Sequence, residues 1–220
     1  MSVEEYIEQV KPYVLELFKE DSSGHDYWHM ERAKNLALKI QEKEGGDRIV
    51  VGLAAFLHDI HRIMQNERGV FVDPKESIPK VREILNNTDL DVETVDKICF
   101  AIENHEIYNW NGSNVEDINT LIVQDADNLE AIGAIGVGRC FSYGGSRKIE
   151  MYNPEIPLNE STDYAEEKGD DPTSLHHFYH KLFKLKDNMN TNTAKKIAED
   201  RVAFMRNFAE EFLDEWNGKK

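Results

Sequence analysis

The sequence predicts an all-α protein, and three observations predict it. Apolar residues recur at intervals of three and four through most of the chain. The two longest apolar stretches carry alanines and outrun a typical strand. Only 6 prolines and 13 glycines interrupt 220 residues, and no dependable strand or internal repeat is found.

Residues 3–20 read as a first helix, with Tyr6, Val10, Tyr13, Val14, Leu17 and Phe18 on one face. Pro12 is expected to kink or restart it, and Asp21-Ser22-Ser23-Gly24 to end it. Residues 26–43 follow, capped by Asp26, with Met30, Ala33, Leu36, Ala37 and Ile40 as the core stripe. Residues 48–60 are apolar almost all round, as in a buried helix. His58 and Asp59 stand at its C-terminal end, where the helix dipole disfavours a carboxylate and a bound cation would remove the penalty. Residues 63–75, with Gly69 and Pro74, read as a loop.

Helices are then expected near 76–87, 91–106 and 115–125, the second capped by Asp91 and ending at His105 before an Asn/Gly/Trp loop, Tyr108 to Gly112. Residues 118–142 keep a helical phase through Leu129, Ile132, Ile135 and Val137. Gly133, Gly136 and Gly138 there imply close helix packing or a backbone near a site. Residues 143–172 are polar and without period, a surface excursion or a lid. Residues 173–186 and 191–217 are the last helices. The stripe Ile197, Phe204, Met205, Phe208, Phe212 and Trp216 is core, and Thr191 or Thr193 is the cap. One domain over 1–220 is expected, with an irregular or mobile insertion at 143–172.

The 42 acidic residues against 26 basic ones give a net charge of -16, which disfavours nucleic-acid polymers and anionic membranes as partners. A small anionic substrate stays compatible, because a divalent cation and a few basic groups reverse the field inside one pocket. Cys99 and Cys140 lie among apolar residues without a CxxC pair and read as buried free thiols. The acidic segment Met1 to Glu8 is unlike a signal peptide and no stretch nears 18 apolar residues, so a cytoplasmic protein is the default. Aromatic positions in the last helix would permit a homodimer. The phosphate-loop, dinucleotide, zincin and nucleophile-elbow motifs are absent; after His105-Glu106 the second zincin histidine is replaced by Asn109.

His29, His58, Asp59 and Asp127 come from three separate helices and could converge on one divalent ion. Two imidazoles and two carboxylates suit Mn, Fe, Co, Ni, Zn or Mg better than a structural zinc site, and leave room for water or substrate. An unpaired carboxylate after so apolar a helix would otherwise be costly.

These residues stand in the order His29, His58-Asp59, Asp127, which resembles the pattern of the HD-domain phosphohydrolase superfamily. His25-Asp26-x-x-His29-x-x-Arg32, Ala54-Ala55-x-Leu57-His58-Asp59-Ile60 and the segment from Asp125-Ala126-Asp127 to Gly136 are similar to a branch of small stand-alone bacterial HD hydrolases. The likeness continues through His177-Phe178-Tyr179-x-Lys181-Leu182 and Thr193 to Arg201. It implies an HD-domain helical bundle with a metal in a cleft, those four residues as ligands, and hydrolysis of a phosphate ester, often of a nucleotide.

Binuclear members, phosphodiesterases or oxygenases, use extra histidines between the HD pair and the last Asp. Here only His61 and His105 stand there, and His61 is too close to His58-Asp59 for the usual spacing, so one metal is favoured. A metal-stabilised signalling domain without turnover is the non-enzymatic alternative. Asp59 or Asp127 would orient the attacking water, and Arg32, Arg62 and Lys181 are candidates to hold phosphate. His105 could protonate a leaving oxygen, bind phosphate or ligate a second metal. His25, Asp26 and Asp125 are candidates to orient ligand imidazoles, and one of His176, His177 and His180 to face the pocket.

Overall fold

The structure is a computed structural model that describes residues 1–21, 24–106, 114–159 and 171–220. The Tyr108 to Gly112 loop and residues 160–170 of the expected excursion lie outside these. The described residues form α1 (Val3–Phe18), α2 (Tyr27–Glu44), α3 (Arg48–Leu57), α4 (Ile60–Arg68), α5 (Ile78–Leu85), α6 (Val92–Glu103), α7 (Ile118–Glu130), α8 (Gly133–Ser146), α9 (Ser174–His180) and α10 (Asn192–Trp216). Short 3-10 turns at Pro74–Ser77 and Leu182–Asn188 precede α5 and follow α9. Among the described residues no strand forms; Glu150 and Thr173 make one isolated parallel bridge. The all-α class is as the periodicity predicts.

The packing centre is α3. Every residue from Val50 to Leu57 is buried, and α1, α2, α6 and α7 pack around it. A fully buried Leu, Val or Phe contributes about 1.5–3 kcal/mol of transfer free energy, so this one helix supplies much of the driving force that assembles its neighbours. Asp47 starts it, accepting the Ile49 and Val50 amides at 2.9 and 3.2 Å. The expected caps form elsewhere too: Asp26 accepts from His29 N at 2.8 Å, Asp91 from Thr94 N at 2.9 Å, and Thr191, the cap of α10, from Ala194 N at 3.2 Å. Pro12 sits inside α1 without dividing it.

Several boundaries differ from expectation, and the helix expected over 173–186 is α9 followed by the 3-10 turn from Leu182. The helix expected over 48–60 ends at Leu57, and the segment expected as a loop from 63 begins inside α4. Asp59, at φ -93 and ψ 12, leaves the helical ladder and restarts it as the N-terminal flank of α4. Its carboxylate is therefore beside a favourable helix N-terminus as well as an unfavourable C-terminus. Gly69, at φ 68, closes α4 in the left-handed conformation. The helix expected over 118–142 is two, because Ile132 is extended and Gly133 takes φ 80. Gly136 stands where a Cβ would run into the Ala131 carbonyl, which is the close approach its glycine implies; Gly138 meets nothing. The start of the irregular excursion is helical, since α8 runs to Ser146.

Candidate metal centre and cleft

The break between α3 and α4 puts His58 and Asp59 on the inner end of the most buried helix. His29 reaches them from the first turns of α2, and Asp127 from the last turns of α7. His29 Nε2 lies 3.4 Å from both Asp59 Oδ2 and Asp127 Oδ1. His58 Nε2 lies 3.5 Å from Asp127 Oδ1 and 3.6 Å from Asp59 Oδ1. The four residues singled out in the sequence thus come together in space.

The arrangement fits a divalent ion on two counts. Both Nε2 atoms are buried without a hydrogen-bond partner, which would be costly in a finished polar network. Bonds of about 2.0–2.1 Å from one cation, at 90–110° to each other, set donors roughly 3.0–3.4 Å apart, close to the separations found.

The outer ring nitrogens explain the orientation. His58 Nδ1 donates to the Ala55 carbonyl at 2.8 Å, and His29 Nδ1 lies 3.4 Å from Glu130 Oε2. Each contact assigns the Nδ1–H tautomer and turns the Nε2 lone pair inward. Asp59 Oδ2 in turn lies 2.7 Å from His25 Nδ1. The charges are strongly coupled. Burial disfavours charge on every member. Even so, the nearby carboxylates of Asp127, Asp59 and Glu130 push His29 up to about 9, and those of Asp59 and Asp127 raise His58. The histidines hold the Asp59 and Asp127 carboxyls well below the usual carboxylate range despite their burial. These carboxylates call for positive charge at the point where they meet.

A second cluster shares Asp59. Donor atoms of Asp59, His61, His105 and Glu106 lie within 4.8 Å of one another. His105 Nδ1 donates to the Ile102 carbonyl at 2.6 Å, and its buried Nε2 has no hydrogen-bond partner. Burial and the neighbouring His58 hold its pKa down to about 4. His61 Nε2 lies 3.1 Å from Glu106 Oε1, which also receives the Arg62 guanidinium in a close ion pair.

Other expected residues are distributed differently. Arg62 and Lys181 line a cavity of about 500 Å3 together with His25 and Asp127. Arg32 does not line it; its Nε donates to Glu130 Oε2 at 2.7 Å, so it neutralises the carboxylate behind His29. Asp26 is a helix cap, and Asp125 faces α10 and not an imidazole. Of the three clustered histidines, His177 lines the cavity; His176 instead meets Thr173 Oγ1 at 2.7 Å.

Reasoning from sequence missed Glu130, Glu106, Arg139 and Arg147. Glu130 is three residues after Asp127 on α7, a spacing that puts both on one face. Arg139 and Arg147 line the cavity from α8 and its C-terminal end. Cys99 and Cys140 are free thiols, as expected; Cys99 is buried, whereas Cys140 is only half-buried and lines the cavity.

An all-helical fold with clustered His, Asp and Glu donors at one cleft is the arrangement typical of metal-activated phosphohydrolases. The HD domain model matches residues 27–132, which span all four converging residues. The chain is 32% identical to Bacillus subtilis YpgQ over 203 residues, 91% of this chain and 89% of that one. It is similar to the crystal structure of an HD-superfamily hydrolase from Bacillus thuringiensis, at 36% identity and a TM-score of 0.73, covering 98% and 99% of the two chains. It is also similar to YpgQ crystallised in complex with ADP, at 30% identity and a TM-score of 0.66, covering 94% and 96%. The chain belongs to the HD-domain superfamily, and it is an HD-superfamily hydrolase with a cluster able to hold a divalent metal ion. Among the described residues no helix is long and apolar enough to cross a membrane.

Proposed function

We propose that His29, His58, Asp59 and Asp127 bind one divalent cation and that the protein hydrolyses a phosphate ester of a nucleotide or similar small molecule. The observation that carries this reading is the pair of buried, unpartnered Nε2 atoms turned toward two carboxylates. The mixed N/O donor set suits Mn, Fe, Co, Ni, Mg or Zn. When bound, the ion supplies Lewis acidity toward water and phosphoryl oxygen. The chain's own groups do the rest. Asp127, whose carboxylate borders both cluster and cavity, orients the attacking water and accepts its proton. Arg62, Arg139, Arg147 and Lys181 supply positive charge to phosphate oxygens, in a cavity able to hold a nucleotide-sized ligand. YpgQ in complex with ADP supports a nucleotide-related substrate.

One ion per chain is the favoured count, because Arg62 already sits on Glu106 with its positive charge in the second cluster. The unpartnered His105 Nε2 favours a second reading, a two-ion centre bridged by Asp59. The reading extends to one HD domain over 1–220, a cytoplasmic protein, a homodimer through α10, and no nucleic-acid polymer as partner. The test is elemental analysis of the purified protein, then a phosphate-ester screen with each metal. Metal-dependent phosphate release that vanishes in Asp59→Ala and Asp127→Ala is expected. Bound metal without turnover on any ester would leave a stabilised signalling domain, and two ions with His105 as ligand the binuclear reading.

A further inference from the structure

The cavity has a wall that supplies no residue to either donor cluster. It is formed by α9 and the residues that flank it, with His177, Lys181, Thr173 and Asp171 lining the same space that Asp127 and His25 border. On this wall one carboxylate holds two imidazoles. Asp171 receives His177 Nδ1 in a close hydrogen bond, and its other oxygen takes His180 Nδ1. The Asp171 and His180 side chains are only 7% and 8% exposed, whereas that of His177 is 26% exposed and lines the cavity. The carboxylate therefore fixes two rings and presents one of them to the cavity, with Nδ1 engaged and Nε2 on the opposite edge of the ring.

In phosphoryl transfer the attacking and leaving oxygens are roughly in line through phosphorus. Water that attacks from the Asp127 side therefore expels the leaving oxygen away from the cluster and into the cavity that His177 lines. From these facts we infer that His177, oriented by Asp171, is the general acid that protonates the leaving oxygen. The inference rests on the phosphohydrolase reading above. In the step, the water oxygen bonds to phosphorus and its proton passes to Asp127. The bond from phosphorus to the ester oxygen breaks, the electron pair stays on that oxygen, and the Nε2 proton of His177 joins it. Neutral His177 then regains a proton from solvent.

One surrounding feature suits this role and another opposes it. Lys181, four residues after His177, lines the cavity within the electrostatic reach of both Asp127 and Asp171, where its charge would attract a phosphate. Burial and the Lys181 ammonium pull the His177 pKa down while Asp171 opposes them. A phosphate entering the cavity acts in the same direction as Asp171 and favours the imidazolium.

The experiment compares leaving groups in the manganese-loaded enzyme. Two pairs of substrates serve: phosphate monoesters of 4-nitrophenol and of a primary alcohol, and the 4-nitrophenyl and methyl esters of thymidine 5′-monophosphate. Nitrophenolate departs without a proton, whereas an alkoxide needs one. His177→Asn is expected to lose about 10²-fold or more in kcat/KM on the alkyl ester of the productive pair, and only a few-fold on the nitrophenyl ester. Asp171→Asn, a positioning variant, is expected to follow the same pattern with a smaller loss. Metal content per chain should be unchanged in both, and His177→Gln provides a second variant if His177→Asn folds poorly.

Equal loss on both esters would make His177 an anion contact and overturn the inference, as would no loss on either. A leaving-group-dependent loss in Lys181→Met but not in His177→Asn would also overturn it, by assigning the proton to Lys181. No turnover of any ester by the wild type would refute the phosphohydrolase reading itself, which is distinguishable from a flat leaving-group profile.

Discussion

Asp125→Ala separates the two acidic residues of the Asp-Ala-Asp segment. Two positions on a helix lie about 200° apart, so Asp125 and Asp127 point to opposite sides of α7. Asp127 joins the metal cluster. Asp125, fully buried, accepts Asn190 N at 2.7 Å, Asn190 Nδ2 at 3.0 Å, Thr191 N at 2.8 Å and Thr191 Oγ1 at 2.7 Å. It thereby ties α7 to the start of α10. Taken singly, hydrogen bonds to a charged acceptor contribute about 1.5–3 kcal/mol each. They do not add here, because burial of the carboxylate outweighs them and raises its pKa. Truncation to alanine strands the Thr191 amide and hydroxyl in a buried position, at about 1–3 kcal/mol per unsatisfied group, while Asn190 recovers water. A net loss of about 3 kcal/mol follows. With a slope of about 2–3 kcal/mol per M for a chain of this size, the urea midpoint should fall by about 1 M. Unfolding is followed by far-ultraviolet circular dichroism at fixed manganese, and metal content is measured on the folded variant. An unchanged midpoint, or folded Asp125→Ala that has lost its metal, would refute the assignment of Asp125 to structure.

Asp127→Ala should do the reverse in the metal assay, leaving little bound ion in a protein that still folds; full retention of the ion would exclude it as a ligand. Stability should depend on metal, rising by about 4 kcal/mol at a manganese concentration 1,000-fold above its Kd and falling back with a chelator, as thermal melts would show. Burial and the nearby Asp171 push the Cys140 thiol up to about 12, so it stays protonated at pH 8. Iodoacetamide at pH 8 should leave it unmodified in the native protein and alkylate it in urea, as mass spectrometry would record. Gly133→Ala should cost about 1–2 kcal/mol or more, read from the urea midpoint, since φ is 80 and the new Cβ would meet Arg201 Cγ at 2.9 Å.

Much of the fold is legible in the sequence, and the residues show why. The caps Asp26, Asp91 and Thr191 act through the local chain, so their identity and position predict the helix starts. The stripe of α2 is equally local. The break at Asp59 is not: Ile63 and Met64 sit among polar residues that read as loop, and α4 forms because it packs onto the turn at Pro74–Ser77 and onto α1. Among the candidate site residues, His29, His58, Asp59 and Asp127 stand out through the resemblance and the cost of a lone carboxylate after an apolar helix. Arg32 and Asp125 read as plausible site residues, but the side each faces depends on Glu130 and Asn190, which come from elsewhere in the chain.

The sequence by itself determined the helical class, the caps and the types of donor available, because these follow from periodicity, backbone hydrogen bonding within a few residues, and side-chain chemistry. Only the tertiary structure decided which donors meet. It placed Glu130 behind His29, put Arg62 on Glu106, and set His177 on the cavity wall while His176 turned away. The physical reason is that a metal cluster or a cleft is a relation between side chains from separate helices, and that relation exists only once burial of α3 has drawn those helices together.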